Sequence, residues 1–200
     1  MSTREQLIEI AELCIRTGGY SSFSFRTIAD QLGIKSSSVH YHFPKKEDIG
    51  LAVIDNYSEK FRQHLFNEHV EVLSAKDAII YYINMFLTEL TKEKKMCACI
   101  VLSAEQTEIS ENMKTGLKQF YSLNLNWIRH TLKKDSEFND NKNINGVSNF
   151  IFSTLQGALI GAKTLNDSAH FITTIEQLYI SVFNETLDSE KLYITQGNSE

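Results

Sequence analysis

Hydrogen-bonding side chains cluster on one face of a short predicted helix near the N-terminus. Val39 and Phe43 stand four residues apart, so we expect both to face a protein core. The residues left on the outer face are Ser36, Ser37, His40 and Tyr41. Such side chains can donate to base edges and phosphates from within a major groove, whereas a purely structural helix more often carries Glu, Lys and Ala there.

A second predicted helix and a tight turn position this face. Ser24 has a side-chain oxygen suited to cap a helix, and Ile28, Ala29 and Leu32 follow at spacings that place them on one inward side. Gly33 supplies the sharp turn. Two short helices joined in this way, with a third directly after them, are typical of a helix-turn-helix DNA reader.

These residues resemble the signature of the TetR family of transcriptional repressors. The matching motifs are Ile28-Ala29, Leu32-Gly33-Ile34, Val39-His40-Tyr41-His42-Phe43-Pro44 and Lys46-Glu47. The resemblance begins in the first helix, with Leu7, Ala11, Cys14, Ile15 and Gly18-Gly19-Tyr20, and fades after about residue 55. Ser37 stands where glycine is frequent and His40 where tyrosine is frequent, which bears on base preference and not on the fold.

The resemblance implies a set of DNA contacts. The residues at the matching positions are Arg26, Thr27, Ser36, Ser37, Ser38, His40, Tyr41, His42 and Lys46. Arg26 matches a side chain that reaches a base edge, and Lys46 matches the lysine that anchors the next helix to the DNA backbone. Thr27 and Tyr41 match phosphate contacts, and His42 lies either near phosphate or in the packing of its helix. For each residue the alternative is an exposed polar side chain.

The charge distribution permits this interpretation although the net charge is −5. A DNA-binding protein normally has a basic surface. Residues 1–50 carry six basic and six acidic side chains, and residues 51–200 carry the whole acidic excess. Between residues 26 and 46 the basic side chains Arg26, Lys35, Lys45 and Lys46 face a single acid, Asp30. The predicted reader is therefore locally basic.

Composition predicts an all-α protein of about nine helices in the cytoplasm. The chain of 200 residues is 42% hydrophobic and 22% charged, with one proline, Pro44. We expect no signal peptide and no membrane span. Three cysteines without framework spacing fit a reducing compartment. We predict a three-helix DNA-binding domain over residues 1–47 and a helical ligand-binding and dimerisation domain over residues 48–200.

Apolar residues continue to recur at helical spacing after the predicted helix-turn-helix. A long helix, with Pro44 in its first turn, should reach Leu65. Further helices are predicted over residues 75–90, 99–105, 111–134, 147–165 and 168–187, with a mobile loop over 133–146. The last two helices are apolar on more than one face, and Gly157 and Gly161 would let another backbone approach. They are either buried within one subunit or, as the resemblance implies, pair with their copies in a homodimer.

An aromatic group later in the chain could bind an effector. Tyr82, Phe86 and Trp127 are the candidate ligand-binding residues, among a wider group of Tyr81, Met85, Phe120, Tyr121 and Asn124. Bundle folds bind ligands between helices, but the same residues could equally form a filled core. The chemical identity of a ligand does not follow from them.

Cys97 and Cys99 are candidate redox residues. The neighbouring Lys92, Lys94 and Lys95 could lower a thiol pKa, and the segment 97–105 is similar to the stretch with a reactive cysteine in some electrophile-responsive TetR-family repressors. We expect Cys97 to be the more exposed thiol, and Cys14 to be protected in the first helix. The alternative is that buried cysteines act as small hydrophobic residues.

Other classes of protein find little support. His40 and His42 would point about 200° apart on a helix and could not share one metal ion. There is no catalytic or phosphate-binding motif, so we predict neither an enzyme nor a cofactor. The sequence predicts a homodimeric repressor of a pseudo-palindromic operator, released by a small molecule or an electrophile. The alternatives are a thiol-based redox sensor without a reversible ligand, a small helical enzyme or a protein-binding adaptor.

Overall fold

The structure is a computed structural model that describes residues 1–93, 95–138 and 143–192. These residues form ten α-helices and no β-strand, which confirms the predicted all-α fold. The helices are α1 (Thr3–Gly18), α2 (Phe25–Leu32), α3 (Ser36–His42), α4 (Lys46–Leu65), α5 (Glu68–Glu71), α6 (Ala75–Thr88), α7 (Ala98–Ala104), α8 (Glu111–Leu132), α9 (Ile144–Leu165) and α10 (Ser168–Phe183). Within the described residues, no helix has the length and apolar character needed to cross a membrane.

The chain divides into two compact units. The first combines Met1–Gln63 with Met96–Leu123, and the second combines His64–Lys95 with the described residues from Asn124 onward. The predicted domains, residues 1–47 and 48–200, have a different boundary from that of these two units. They are defined by function, and this division stays a prediction.

Helices α1, α2, α3, α4 and α7 all contribute buried side chains to the first unit. Leu7, Ala11 and Ile15 of α1 are fully buried, as their spacing predicts. Ser2 and Glu5 form a capping box at the start of α1. Cys14 is half-buried at the edge of the predicted inward face, so it is less protected than we expected.

The second unit contains the hairpin of α9 and α10. The buried face of α9 includes Ile151, Leu155 and Leu159, and that of α10 includes Phe171 and Ile175. Large apolar side chains also remain exposed on these helices: Phe150, Ile160, Leu165 and Ile180. The hairpin therefore has an apolar surface beyond its own core.

Several helix ends differ from the predicted ones. Pro44 precedes α4 rather than lying in its first turn, and the Asp48 carboxylate accepts a hydrogen bond from the Lys45 N–H there. A π-helical turn, Glu89–Glu93, follows α6. α10 ends at Phe183 because Asn184 adopts a left-handed conformation with φ 55°. Of the predicted loop 133–146, residues 139–142 lie outside the described part of the chain.

Candidate nucleic-acid interface

Local hydrogen bonds between side-chain hydroxyls and backbone N–H groups, together with a glycine turn, fix the helix-turn-helix. The Ser24 hydroxyl accepts from the Thr27 N–H at 3.2 Å, and the Thr27 hydroxyl accepts from the Ser24 N–H at 2.8 Å, so both ends of this capping box are occupied. Gly33 ends α2 in the left-handed conformation, with φ 65°. Behind α3, Val39 and Phe43 are buried, as predicted. These contacts set the direction in which the outer face of α3 points.

The outer face of α3 is polar and accessible. Ser37, His40 and Tyr41 are exposed, and Tyr41 keeps 85% of its surface free. Tyr41 lies edge-to-face against the ring of His42, with centroids 5.2 Å apart. The His40 ring packs on Phe25 of α2 at 4.4 Å, a contact that fixes its position. Sequence spacing did not predict this role of Phe25.

A shallow groove runs beside these residues. Its volume is about 380 Å³. It is lined by Thr3, Ile34, Ser37, Ser38, Tyr41 and His42. Most of these side chains carry a hydroxyl or a ring nitrogen, so the groove can hydrogen-bond an anionic oxygen such as a phosphate. The beginning of α1 therefore shares this surface with α3.

Arg26 and Thr27 both lie at the beginning of α2, but their side chains differ in how strongly existing contacts hold them. The Arg26 side chain is 88% exposed, and its only described ion pair is a loose one, with Asp30 at 4.0 Å. It is free to reach a base edge. The Thr27 hydroxyl accepts and donates within the cap of α2, and its donor bond to the Ser24 carbonyl would have to be exchanged for one to phosphate.

Lys46 has surroundings that the sequence did not predict. Its ammonium lies 4.5 Å from the ring centroids of both Tyr20 and Phe23. Burial lowers the pKa of Lys46, while the Glu105 carboxylate opposes this shift. The predicted phosphate anchor is thus held over two aromatic rings. The contacts of all nine residues with DNA stay predictions.

The candidate ligand-binding residues meet in the second unit. The Tyr82 ring lies 5.3 Å from that of Phe86 and 5.1 Å from that of Trp127, and all three side chains are buried. The Tyr82 hydroxyl donates to Asn124 at 2.6 Å, and Trp127 Nε1 donates to the Leu65 carbonyl at 2.8 Å. The Tyr82 ring therefore packs against both of the other rings. Phe120, from the wider group, packs with Tyr57 and Phe61 in the first unit.

Cys97 and Cys99 are both buried, so the expectation of an accessible Cys97 thiol is wrong. Cys97 is 4% exposed and Cys99 is fully buried. The reason is that the segment before α7 docks on α1, where Arg16 Nε donates to the Met96 carbonyl at 2.8 Å. Burial raises the pKa of Cys99 well above the ordinary thiol value, and Cys97 and Glu12 raise it further. Lys94 lies outside the described residues. Redox sensing stays a prediction.

The described residues contain no group of three or more His, Cys, Asp or Glu side chains arranged to hold a metal ion.

An open groove of about 390 Å³ lies on α9 and α10. It is lined by Phe150, Thr154, His170, Thr173, Thr174, Gln177 and Leu178. Gly157 faces open space, whereas Gly161 is approached by the His170 side chain rather than by a backbone.

Comparisons with known proteins agree with this geometry. The family model for bacterial regulatory proteins of the tetR family matches residues 7–53. The chain is 24% identical over 172 residues to an uncharacterized HTH-type transcriptional regulator in the lacX 3′ region of Lactococcus lactis subsp. lactis, covering 83% of this chain and 86% of that protein. It is 24% identical over 123 residues to the HTH-type transcriptional repressor NemR of Escherichia coli K12, covering 58% and 59%. A TetR transcriptional regulator from Legionella pneumophila has the same fold, with a TM-score of 0.82 and 28% identity over 90% of this chain and 97% of that one.

Proposed function

The chain belongs to the TetR family of bacterial regulatory proteins, and from that premise we propose that it is a homodimeric repressor of a pseudo-palindromic operator. In this proposal a small molecule or an electrophile releases the operator, and the protein acts in the cytoplasm. HTH-type transcriptional regulation is the activity in the names of its relatives, and the Escherichia coli relative is named a repressor. The observation that carries the proposal is the exposed polar face of α3, directed by the buried Val39 and Phe43.

The proposed dimer would use α9 and α10. A palindromic operator has two half-sites related by two-fold symmetry, so its reader needs two copies of α3 at a fixed separation. Phe150, Thr154 and Gly157 lie at helical spacing on one face of α9. In a single chain the Phe150 ring is exposed, Thr154 lines the groove, and Gly157 faces open space. A second copy of the same hairpin would cover this surface.

The proposed effector would act at Tyr82, Phe86 and Trp127. Because these rings are already packed, a ligand must part them, and moving Trp127 would disturb the hydrogen bond that it donates to Leu65 at the end of α4. α4 runs unbroken from Lys46 to Leu65 and could transmit that movement. Operator DNA must then weaken effector binding by the same factor as the effector weakens DNA binding.

The only tryptophan makes this testable. A compound that releases DNA should change Trp127 fluorescence and should lose affinity after Phe86→Ala. If it binds normally to both Phe86→Ala and Trp127→Ala, the effector site lies elsewhere. The thiol alternative predicts instead that an alkylating reagent lowers operator affinity, and that Cys97→Ser or Cys99→Ser prevents the loss. The burial of both thiols favours the reversible ligand.

The central experiment measures DNA binding by two reader variants. Fluorescence anisotropy with duplexes from around the encoding gene should give an affinity for a specific site. Arg26→Ala should lose about 1 to 3 kcal/mol and relax the preference at one base pair, whereas Lys46→Ala should weaken all sequences alike. Arg62→Ala is the matched control, because Arg62 lies about 24 Å along α4 from Lys46 at 1.5 Å per residue. If both reader variants bind like the Arg62 variant, the assignment of the interface is wrong.

A further inference from the structure

The glutamate that follows α7 holds the turn that follows α1. The Glu105 carboxylate accepts a hydrogen bond from the Tyr20 backbone N–H at 2.8 Å. Gly19, the preceding residue, has φ 83°, and a Cβ at that position would collide with Glu105 Oε1. Glycine is therefore needed both for the backbone conformation and for the close approach of the carboxylate. Both features fix one orientation of the turn relative to Glu105.

This turn also forms an aromatic cage around Lys46, made of the rings of Tyr20 and Phe23. The two rings meet edge-to-face at 5.8 Å, and the ammonium lies 4.5 Å from each centroid. Both rings are buried, so the Lys46 head group is only partly hydrated. The Glu105 carboxylate supplies the negative charge that favours the ammonium there.

We propose that Glu105 is a positioning residue for DNA binding, because its carboxylate retains the Lys46 ammonium in the aromatic cage and competes with a DNA phosphate for it. This inference rests on the proposed contact between Lys46 and the DNA backbone. The attraction acts across the turn: the Glu105 carboxylate is bonded to the Tyr20 N–H and the ammonium lies over the Tyr20 ring, so a phosphate that draws Lys46 out of the cage works against Glu105. The carboxylate lowers affinity for any DNA sequence, since phosphate contacts carry no base preference.

The placement of Glu105 depends on α7 as a whole. At the other end of this helix, Arg16 Nε donates to the Met96 carbonyl, so both ends of α7 are attached to residues at the end of α1. A displacement of α7 would withdraw the carboxylate from Tyr20 and Lys46 together. The strength of the contact between Lys46 and a DNA phosphate therefore depends, through Glu105, on the position of α7.

The test compares Glu105→Gln with the parent protein in the Lys46 and the Lys46→Met backgrounds. Glutamine keeps an acceptor for the Tyr20 N–H but removes the charge. Glu108→Gln is the control for net charge, because Glu108 is an exposed carboxylate in the same turn. Binding to operator and to random duplexes is measured by anisotropy at two salt concentrations. Equal thermal midpoints would establish that the variants are folded.

We expect Glu105→Gln to tighten binding to both duplexes by about threefold or more beyond the effect of Glu108→Gln, and to have no such effect in the Lys46→Met background. Glu105→Asp, which keeps the charge, should stay near the parent. NMR titration of 13C-labelled lysine should show a lower pKa of Lys46 in Glu105→Gln, without DNA present, because the opposing carboxylate is gone.

The two failures are distinguishable. If Lys46→Met binds DNA like the parent, the proposed phosphate contact is wrong, and the inference is overturned with it. If Lys46→Met weakens binding but Glu105→Gln acts equally in both backgrounds, or leaves the Lys46 pKa unchanged, the inference alone is overturned.

Discussion

Replacing Glu12 by alanine removes a carboxylate that the first unit buries between two cations. Glu12 is 7% exposed, its Oε1 lies 3.5 Å from Arg16 Nη1, and its Oε2 accepts a hydrogen bond from Lys60 Nζ at 3.0 Å. Arg16 is 8% exposed and keeps its hydrogen bond to Met96 and its contact with the Tyr57 ring in the variant. The substitution therefore changes the electrostatic surroundings of Arg16 more than its packing.

The magnitude follows from the unequal burial of the two cations. Removing one partner of a buried ion pair costs about 3 to 5 kcal/mol, and the remaining contacts of Arg16 place Glu12→Ala near the low end, at about 3 kcal/mol. The Lys60 side chain is 50% exposed. A solvent-screened pair of this kind contributes about 0 to 1 kcal/mol, which is the expected cost of Lys60→Met. Glu12→Gln keeps a hydrogen-bond acceptor, so its destabilisation should fall between those of Glu12→Ala and Lys60→Met, at about 1.5 kcal/mol.

Urea unfolding followed by circular dichroism, at one fixed protein concentration, would measure these differences. Glu9→Ala is the control, because Glu9 is exposed on the same helix. The expected order of destabilisation is Glu12→Ala, Glu12→Gln, Lys60→Met. If Lys60→Met costs as much as Glu12→Ala, or if Glu12→Ala costs no more than Glu9→Ala, the assignment of the stabilising interaction to the buried partner is refuted.

Three further predictions concern other parts of the chain. Ser24→Ala should cost about 1 kcal/mol by leaving the Thr27 N–H without its cap, seen as a lower thermal midpoint, and an unchanged midpoint would contradict this. Gly157→Leu should leave the folded chain intact, since the site is open, but should dissociate the proposed dimer in sedimentation equilibrium; a dimer of parental strength would contradict that interface. The hydrogen bond from Lys191 lowers the pKa of Asp77, so the native ion contributes stability above the unfolded pKa of about 3.9 and loses it as pH falls; Asp77→Asn should therefore show a smaller drop in urea midpoint between about pH 5 and about pH 3.

The helix-turn-helix could be predicted because its signals are local. The cap at Ser24, the left-handed Gly33 and the four-residue spacing of Val39 and Phe43 each act within one or two helical turns. Helix ends were harder to predict, since Asn184 ends α10 in a left-handed conformation that, among the described asparagines, only Asn166 also adopts. The single-turn helix α5 is too short to show a period.

The surroundings of Lys46 and Cys97 could not be predicted in this way. The aromatic cage depends on Glu105, which is distant in sequence and reaches Tyr20 only after α7 packs. Basic neighbours indicated a reactive Cys97, but charge along the chain carries no information about docking on α1, and docking buries the thiol. Predictions failed where a property depends on contacts between distant segments.

The attachment of α7 at both ends limits how its length can change in evolution. A helix of this length has no stability of its own in water, where about 12 to 15 residues are marginal, so α7 depends on its buried side chains and on its anchors at Met96 and Glu105. Inserting one residue between them would turn Glu105 by about 100° and advance it by about 1.5 Å, away from Tyr20. The less buried positions of α7, Val101, Ser103 and Ala104, can vary in residue type while the residue count cannot, so an alignment of functional relatives that share both anchors should be free of gaps across residues 96–105.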